Sequence, residues 1–281
     1  VIKLGFSAPL TGPQAHYGED MRNGLVLALE EANAQKIEID GATARFELVA
    51  KDDQADPRTA VQVAQQIVDD GVDGVLGHFN SGTTIPASRV YNDAGIPQIA
   101  MATSPEYTQQ GYDNTFRMMT SDTQQGAAVG QFIVKDLAAK KVALIDDRTA
   151  YGQGLTDQVA RAVEKAGGQI VAREYTTDKA NDFTSILTNI KSKAPDAIFF
   201  GGLDAQSGPM KRQMQTLDIK APLVSGEMTR SDTFLRLAGN AANGTYASLA
   251  GVPLSTMAAG EKFAKDYQAR FKAEPGVYAP Y

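Results

Sequence analysis

The sequence contains no cysteine and no tryptophan, and only two histidines among its 281 residues. Without cysteine, disulfides and thiolate metal sites are excluded, and the absence suits the cytosol and the bacterial periplasm alike. No apolar run approaches the roughly 18 residues that a membrane-crossing helix needs. Positive charge is also scarce: 27 Lys and Arg face 33 Asp and Glu, for a formal net charge of −6. The basic residues are scattered rather than clustered, which argues against nucleic acid or anionic lipid as a partner. Recognisable catalytic motifs are missing as well. There is no Walker A sequence, no H-E-x-x-H, no G-x-G-x-x-G and no G-x-S-x-G elbow. Asp52, Asp53 and Asp56 lack the ligand spacing of a calcium loop, and a strand-end turn with a helix N-cap accounts for them. No cofactor and no metal is expected.

What is present is a globular profile, with 43% hydrophobic and 21% charged residues. Short apolar runs at 2–8, 45–50, 74–77, 97–101, 142–145, 169–172, 197–200 and 222–225 read as strands. Amphipathic helical patterns lie between them. Met21, Leu25, Ala28, Leu29 and Ala32 share one face over 19–34, and Ala60, Val61, Ala64, Ile67 and Val68 do so over 58–69. Asp56-Pro57 supplies an N-cap and a first-turn proline, with Gly71 as the stop. Leu155, Val159, Ala162, Val163 and Ala166 mark another helix, ended by Gly167-Gly168. This alternation predicts an α/β fold with doubly wound parallel sheets. The strand at Asp73–Gly77 running into Ser81-Gly82 is echoed by Asp196–Gly202 running into Ser207-Gly208, which points to two similar lobes. The crossover is expected near 119–122, and the strand ends of such lobes can face each other across a cleft. The sequence opens on a strand pattern at Val1–Phe6, as a mature exported protein or a trimmed chain would.

Four strand–helix junctions carry the chemistry. A helix starting near Ser81 aims amide donors and its positive end at an anion, with the Ser81 hydroxyl as a further donor. The competing reading is that Ser81 only caps its helix. The second junction, Ala102-Thr103-Ser104-Pro105-Glu106, offers small and hydroxyl residues or an ordinary turn. The third holds Tyr151, an aromatic face or a helix staple. The fourth holds Glu227, a site carboxylate or a solvated acid. Together the set suits a zwitterion. An enzyme pairing His78 with Ser81 is the minority alternative, because three residues on a loop do not place a base against a hydroxyl.

Ala8–Pro13 with Tyr17-Gly18, Asp73–Ser81, Ala102–Glu106, Tyr151–Gly154, Asp182-Phe183, Gly244–Ala247 and Glu274–Tyr278 form an ordered series. In it the chain resembles the periplasmic leucine/isoleucine/valine-binding proteins, the solute receptors of branched-chain amino-acid ABC transporters. The resemblance implies a type I periplasmic binding fold of two lobes, with 1–121 and 252–281 forming the first and 122–251 the second. It implies that elements beyond Tyr281 complete the first lobe. Ser81 would then hold the ligand carboxylate, and the Ala102 backbone and Thr103 would contact carboxylate and amino groups. Glu227 would pair with the ammonium, and Asp122 would reach it through water. Tyr151 would close over the ligand, while Tyr17, Phe79, Asn80, Leu203 and Tyr278 border the side-chain pocket. Asp204 would reach a polar ligand group or face solvent. Better-known relatives carry a cysteine pair where this chain has Ala55 and Asn80. The implied partners are an amino acid and membrane permease subunits, with no nucleic acid and no membrane insertion. The implied setting is the periplasm, as a monomer when full length. Relatives of the same fold bind amides, urea, γ-amino acids or aromatic acids, as transport receptors or cytosolic sensors, so these stay open as ligands.

Overall fold

The computed structural model describes residues 1–281. The first stretch of the chain contains β1 (Ile2–Ala8), α1 (Ala15–Ala34), a small hairpin of β2 (Glu38–Ile39) and β3 (Ala42–Thr43), β4 (Phe46–Asp52), α2 (Pro57–Asp69), β5 (Gly74–Gly77), α3 (Ser81–Asp93), β6 (Gln98–Ala100) and β7 (Thr115–Arg117). The middle contains α4 (Asp122–Gln131), β8 (Lys141–Asp146), α5 (Ala150–Lys165), β9 (Gln169–Tyr175), α6 (Thr184–Ser192), β10 (Ala197–Gly201), α7 (Asp204–Thr216), β11 (Leu223–Ser225), α8 (Asp232–Ala238) and β12 (Thr245–Ala247). The last helix is α9 (Gly260–Phe271). The chain forms two compact units, Val1–Met119 with Gly251–Tyr281, and Thr120–Ala250.

Each unit has one five-stranded sheet. In the first the order is β4-β1-β5-β6-β7, and in the second it is β12-β11-β10-β8-β9. All pairings in both are parallel. Read from the other edge, the second order is the first: each unit's second strand leads, then its first, third, fourth and fifth. Helices on both faces of a parallel sheet bury it on both sides, which is why the central strands are nearly uniform apolar runs. All five residues of β10, Ala-Ile-Phe-Phe-Gly, are buried. In the second unit Ile145, Ile198, Phe200, Leu187, Ile190, Met210 and Met214 pack into one core. In the first, Val63, Ile67 and Val75 pack on Tyr91 and Ala87.

Local signals act where the sequence places them. The Asp56 carboxylate accepts from the amides of Arg58 and Thr59 at the start of α2, and Pro57 takes the first helical position. The echo between the units holds with a different register. β10 is followed only by Gly202-Leu203 before α7 begins at Asp204. Ser207-Gly208 therefore lies inside α7 and not in a loop before it. The glycine serves packing: a Cβ there would stand 2.5 Å from the Leu237 Cβ. The residue of α7 that matches Ser81 of α3 is Asp204, the first of its helix. Pro86 and Pro209 occupy the sixth position of each.

The final segment is fastened by Asp20, which lies one turn beyond Tyr17 on α1. Its Oδ1 accepts from the Gly276 amide at 2.7 Å and the Tyr267 hydroxyl at 3.2 Å. Its Oδ2 accepts from the amides of Tyr278 and Ala279 at 3.0 and 2.9 Å. Hydrogen bonds to a charged acceptor contribute about 1.5–3 kcal/mol each. Replacing Asp20 by Ala is expected to speed amide exchange at Gly276, Tyr278 and Ala279 by at least about tenfold. Unchanged protection of those three amides would show that another contact holds the segment.

At the carboxyl end of β8, Asp147 is buried. Its Oδ1 accepts from the Thr149 amide and hydroxyl at 2.9 and 2.6 Å, while Oδ2 has no partner. Burial pushes its pKa up from 3.8 to about 6; the Thr149 bonds oppose this and the charges of Asp178 and Asp146 add to it. The folded state thus binds the proton more tightly than the unfolded chain, and stability falls as pH rises from about 4 to about 6. Asp147→Asn removes that loss, so its stability relative to wild type should grow by about 2 kcal/mol between pH 4.5 and 7.5 in urea unfolding. Parallel pH profiles for the two proteins would contradict this placement of the proton.

Candidate functional site

Ser81 begins α3 after a short exit from β5 through His78, Phe79 and Asn80. Gly77 makes the exit possible. It sits at φ +111, and a Cβ there would stand 2.1 Å from the Ser7 carbonyl oxygen. The N-cap is Asn80, whose side chain makes no capping bond. Ser81 does not cap its own helix either: its Oγ accepts from the Ser104 amide at 3.3 Å. That bond ties the start of α3 to the loop after β6, which carries Ala102 and Thr103. Arg117 holds the same loop from β7, donating to the Ala102 carbonyl at 2.8 Å and the Ser104 carbonyl at 2.6 Å. Ser81, Ala102 and Thr103 are all buried. The start of this 13-residue helix is its positive end, where an anion is favoured.

Behind Ser81, His78 is fully buried. Its Nδ1 lies 2.6 Å from Asp53 Oδ2 and its Nε2 lies 3.0 Å from the Tyr91 hydroxyl. Burial raises the Tyr91 phenol far above its usual range, with the Asp53 charge adding to the effect. Both ring nitrogens are committed, so neither is turned to Ser81 as a base. On the other side of the loop, Tyr17, Phe79 and Tyr278 form an aromatic cluster. Centroids are 5.3 Å apart for Tyr17–Phe79, 5.7 Å for Tyr17–Tyr278 and 4.8 Å for Phe79–Tyr278, the last two edge-on. Such offset geometry is the favoured one for aromatic rings. Asn80 is half-buried and donates to Gln14 Oε1 at 2.7 Å.

The second unit gathers acids. Asp122 is the first residue of α4, where Ser121 and Gln124 form a capping box. An acid in the first turn complements the helix dipole. Glu227 leaves β11 through Gly226 and is 2% exposed. It is not the solvated acid that its residue type allows. Its Oε2 accepts from the Tyr151 hydroxyl at 2.7 Å and from Gln125 Nε2 at 2.8 Å. Gly226 permits this approach, since a Cβ there would stand 2.2 Å from the Tyr151 oxygen. Tyr151 is therefore more than a staple for α5, whose cap is the Thr149 side chain. Gln125 also reaches Asp122 Oδ1, at 3.2 Å.

Leu203 and Asp204 follow β10. Leu203 is buried, and so is Asp204, which rules out the solvent-facing reading of that acid. Asp204 Oδ2 accepts from the Ser231 hydroxyl at 2.5 Å, joining the starts of α7 and α8. Most candidates thus follow the carboxyl end of a strand of their own unit, while Tyr17 lies on α1, Asp122 opens α4 ahead of β8, and Tyr278 is on the segment Asp20 fastens. The residues that sequence reasoning missed are Gln125, Arg117 and Asp20. Gln125 and Asp20 were accessible in principle through helical spacing, three residues beyond Asp122 and Tyr17 respectively. Arg117 carried no such signal.

Comparison with known proteins agrees with this fold. A family model described as periplasmic binding protein matches residues 1–280. A Leu/Ile/Val-binding protein homolog from Brucella suis is 36% identical over 281 residues, covering 100% of this chain and 74% of that protein. The leucine-, isoleucine-, valine-, threonine-, and alanine-binding protein of Pseudomonas aeruginosa is 34% identical over 249 residues, covering 88% of this chain and 66% of its own length. The crystal structure of a branched-chain amino acid transporter substrate binding protein from Streptococcus pneumoniae, in complex with isoleucine, matches with a TM-score of 0.88 at 29% identity. That match covers 99% of this chain and 80% of the other. Two doubly wound lobes with this strand order, and a family match over nearly the whole chain, place the protein in the periplasmic binding protein family, among the leucine/isoleucine/valine-binding proteins.

Proposed function

We propose that the protein is the solute-binding receptor of an ABC transporter, capturing an amino acid, branched-chain foremost, and delivering it to membrane permease subunits. The observation that carries this reading is Glu227, a buried carboxylate held by two neutral donors at a strand end. A buried acid so held is an acceptor for a cation. Ser81, with the start of α3, is the donor site for the carboxylate end. Ala102 and Thr103 add contacts beside it, and Asp122 supports the ammonium end. The Tyr17, Phe79 and Tyr278 rings, with Asn80 and Leu203, suit an aliphatic side chain. Asp204 is assigned to bracing α7 and reaches ligand only if the ligand carries a polar group.

A zwitterion offers the second unit the cation, and the first unit the anion, that each is proposed to bind. The chemistry ends at binding, since His78 has no nitrogen left to activate Ser81. The family match supports a periplasmic setting, with the protein acting as a monomer when full length, and no helix is long and apolar enough to cross a membrane.

A thermal-shift panel of amino acids, γ-aminobutyrate, urea, amides and aromatic acids tests the reading. A ligand at about a thousand times its Kd adds roughly 4 kcal/mol, a shift of several degrees at this size. Shifts are expected with leucine, isoleucine and valine. Glu227→Ala should weaken leucine binding at least about a hundredfold in calorimetry, because the ammonium loses its buried partner. Shifts confined to amides or aromatic acids, or a loss below about tenfold, would overturn the ligand assignment.

A further inference from the structure

Gln125 makes three contacts that together fix which way its amide faces. The side chain is 3% exposed. Its Nε2 donates to Glu227 Oε2 at 2.8 Å and to Asp122 Oδ1 at 3.2 Å. Its Oε1 accepts from the Ser248 hydroxyl at 3.0 Å. An ionised carboxylate only accepts, so the nitrogen faces the acids, and the Ser248 hydroxyl, which can donate or accept, donates to the oxygen that remains. Ser248 is itself tied to the sheet, its amide donating to the Ser225 carbonyl at 3.2 Å beside the start of the Glu227 turn. The amide of Gln125 is therefore clamped between two acids on one end and a sheet-anchored hydroxyl on the other.

We propose that Gln125 is the positioning residue of the ammonium half-site, holding Asp122 and Glu227 as one acceptor pair, with Ser248 setting its orientation. This rests on the reading of Glu227 as the ammonium partner. The two hydrogens of one amide nitrogen lie in a fixed plane at a fixed angle, so each can take one carboxylate and set the spacing between them. Two carboxylates drawn together repel one another, and the shared donor offsets that repulsion. The donor is neutral. A lysine or arginine in its place would cancel the negative potential that a ligand cation meets, whereas the amide organises the pair and leaves its charge in place. Gln125 then governs affinity for the ligand's ammonium and has no part in binding its carboxylate or side chain.

The test uses the intact protein and two probes, L-leucine and isocaproate, which has the same carbon skeleton without the ammonium. Calorimetry is run on wild type, Gln125→Leu, Ser248→Ala and the double variant, each first shown to unfold cooperatively. Gln125→Leu is expected to weaken leucine by about tenfold to a hundredfold while isocaproate changes by less than about threefold. Ser248→Ala is expected to weaken leucine by several-fold in the wild-type background and to have no further effect in Gln125→Leu, because it acts through that amide. Leucine and isocaproate weakening in parallel would overturn the inference in favour of general packing. So would unchanged leucine affinity in Gln125→Leu, or additive effects of the two substitutions. A wild type that binds neither probe would overturn the amino-acid reading, and this inference with it.

Discussion

A carboxylate buried away from water needs partners, and the second unit is organised around that need at Glu227. The strand β11 delivers it to the sheet's carboxyl edge, and Gly226 clears room for the Tyr151 ring that meets it. α4 brings Gln125 from more than a hundred residues away in sequence. Each of these elements has an ordinary reason to exist in a doubly wound sheet. Their junctions at the strand ends are where the fold leaves its polar groups in position to act. Two other buried acids of the unit bind hydroxyls elsewhere: Asp147 takes that of Thr149 and Asp204 that of Ser231.

Under the proposed function, the first unit meets the ligand's carboxylate without a charged side chain. A helix start, small residues and hydroxyls give donors in place of a cation. The loops bearing them are fixed from behind, by Arg117 on the Ala102 loop and by the Asp53–His78–Tyr91 chain under the β5 exit. Asp20 performs the same service for Tyr278, bonding three backbone amides around it. The residues that would touch a ligand are thus held by others behind them, fully buried in the case of His78 and Asp53 and half-buried in the case of Arg117 and Asp20. Rigid support of this kind is what keeps binding groups in one geometry.

Much of the fold was legible because parallel strands buried on both faces write themselves as apolar runs. β5, β8 and β10 fall where such runs predict them. The edge strands β7 and β12 were missed, since three residues such as Thr-Phe-Arg or Thr-Tyr-Ala carry no run, and Phe116 is in fact 51% exposed. The repeat between the units was legible, but its register slipped by three residues because Ser207-Gly208, small for the sake of helix packing, imitates a loop. At the site, residue types at strand ends were visible while burial was not. Glu227 and Asp204 have the composition of surface acids, and only the packing around them shows otherwise. Helical spacing put Gln125 and Asp20 beside Asp122 and Tyr17, but their distant partners, like those of Arg117, are met only after folding.

The proposed function has the second unit accept the ammonium of an amino acid and the first unit donate to a carboxylate. Calorimetry with L-leucine and its two singly charged analogues, isocaproate and isoamylamine, tests it most directly. The account predicts that leucine binds at least about a hundredfold more tightly than either analogue, because each leaves one half-site without its charge. An analogue that binds within about tenfold of leucine would contradict it, and would show that one unit alone supplies the recognition.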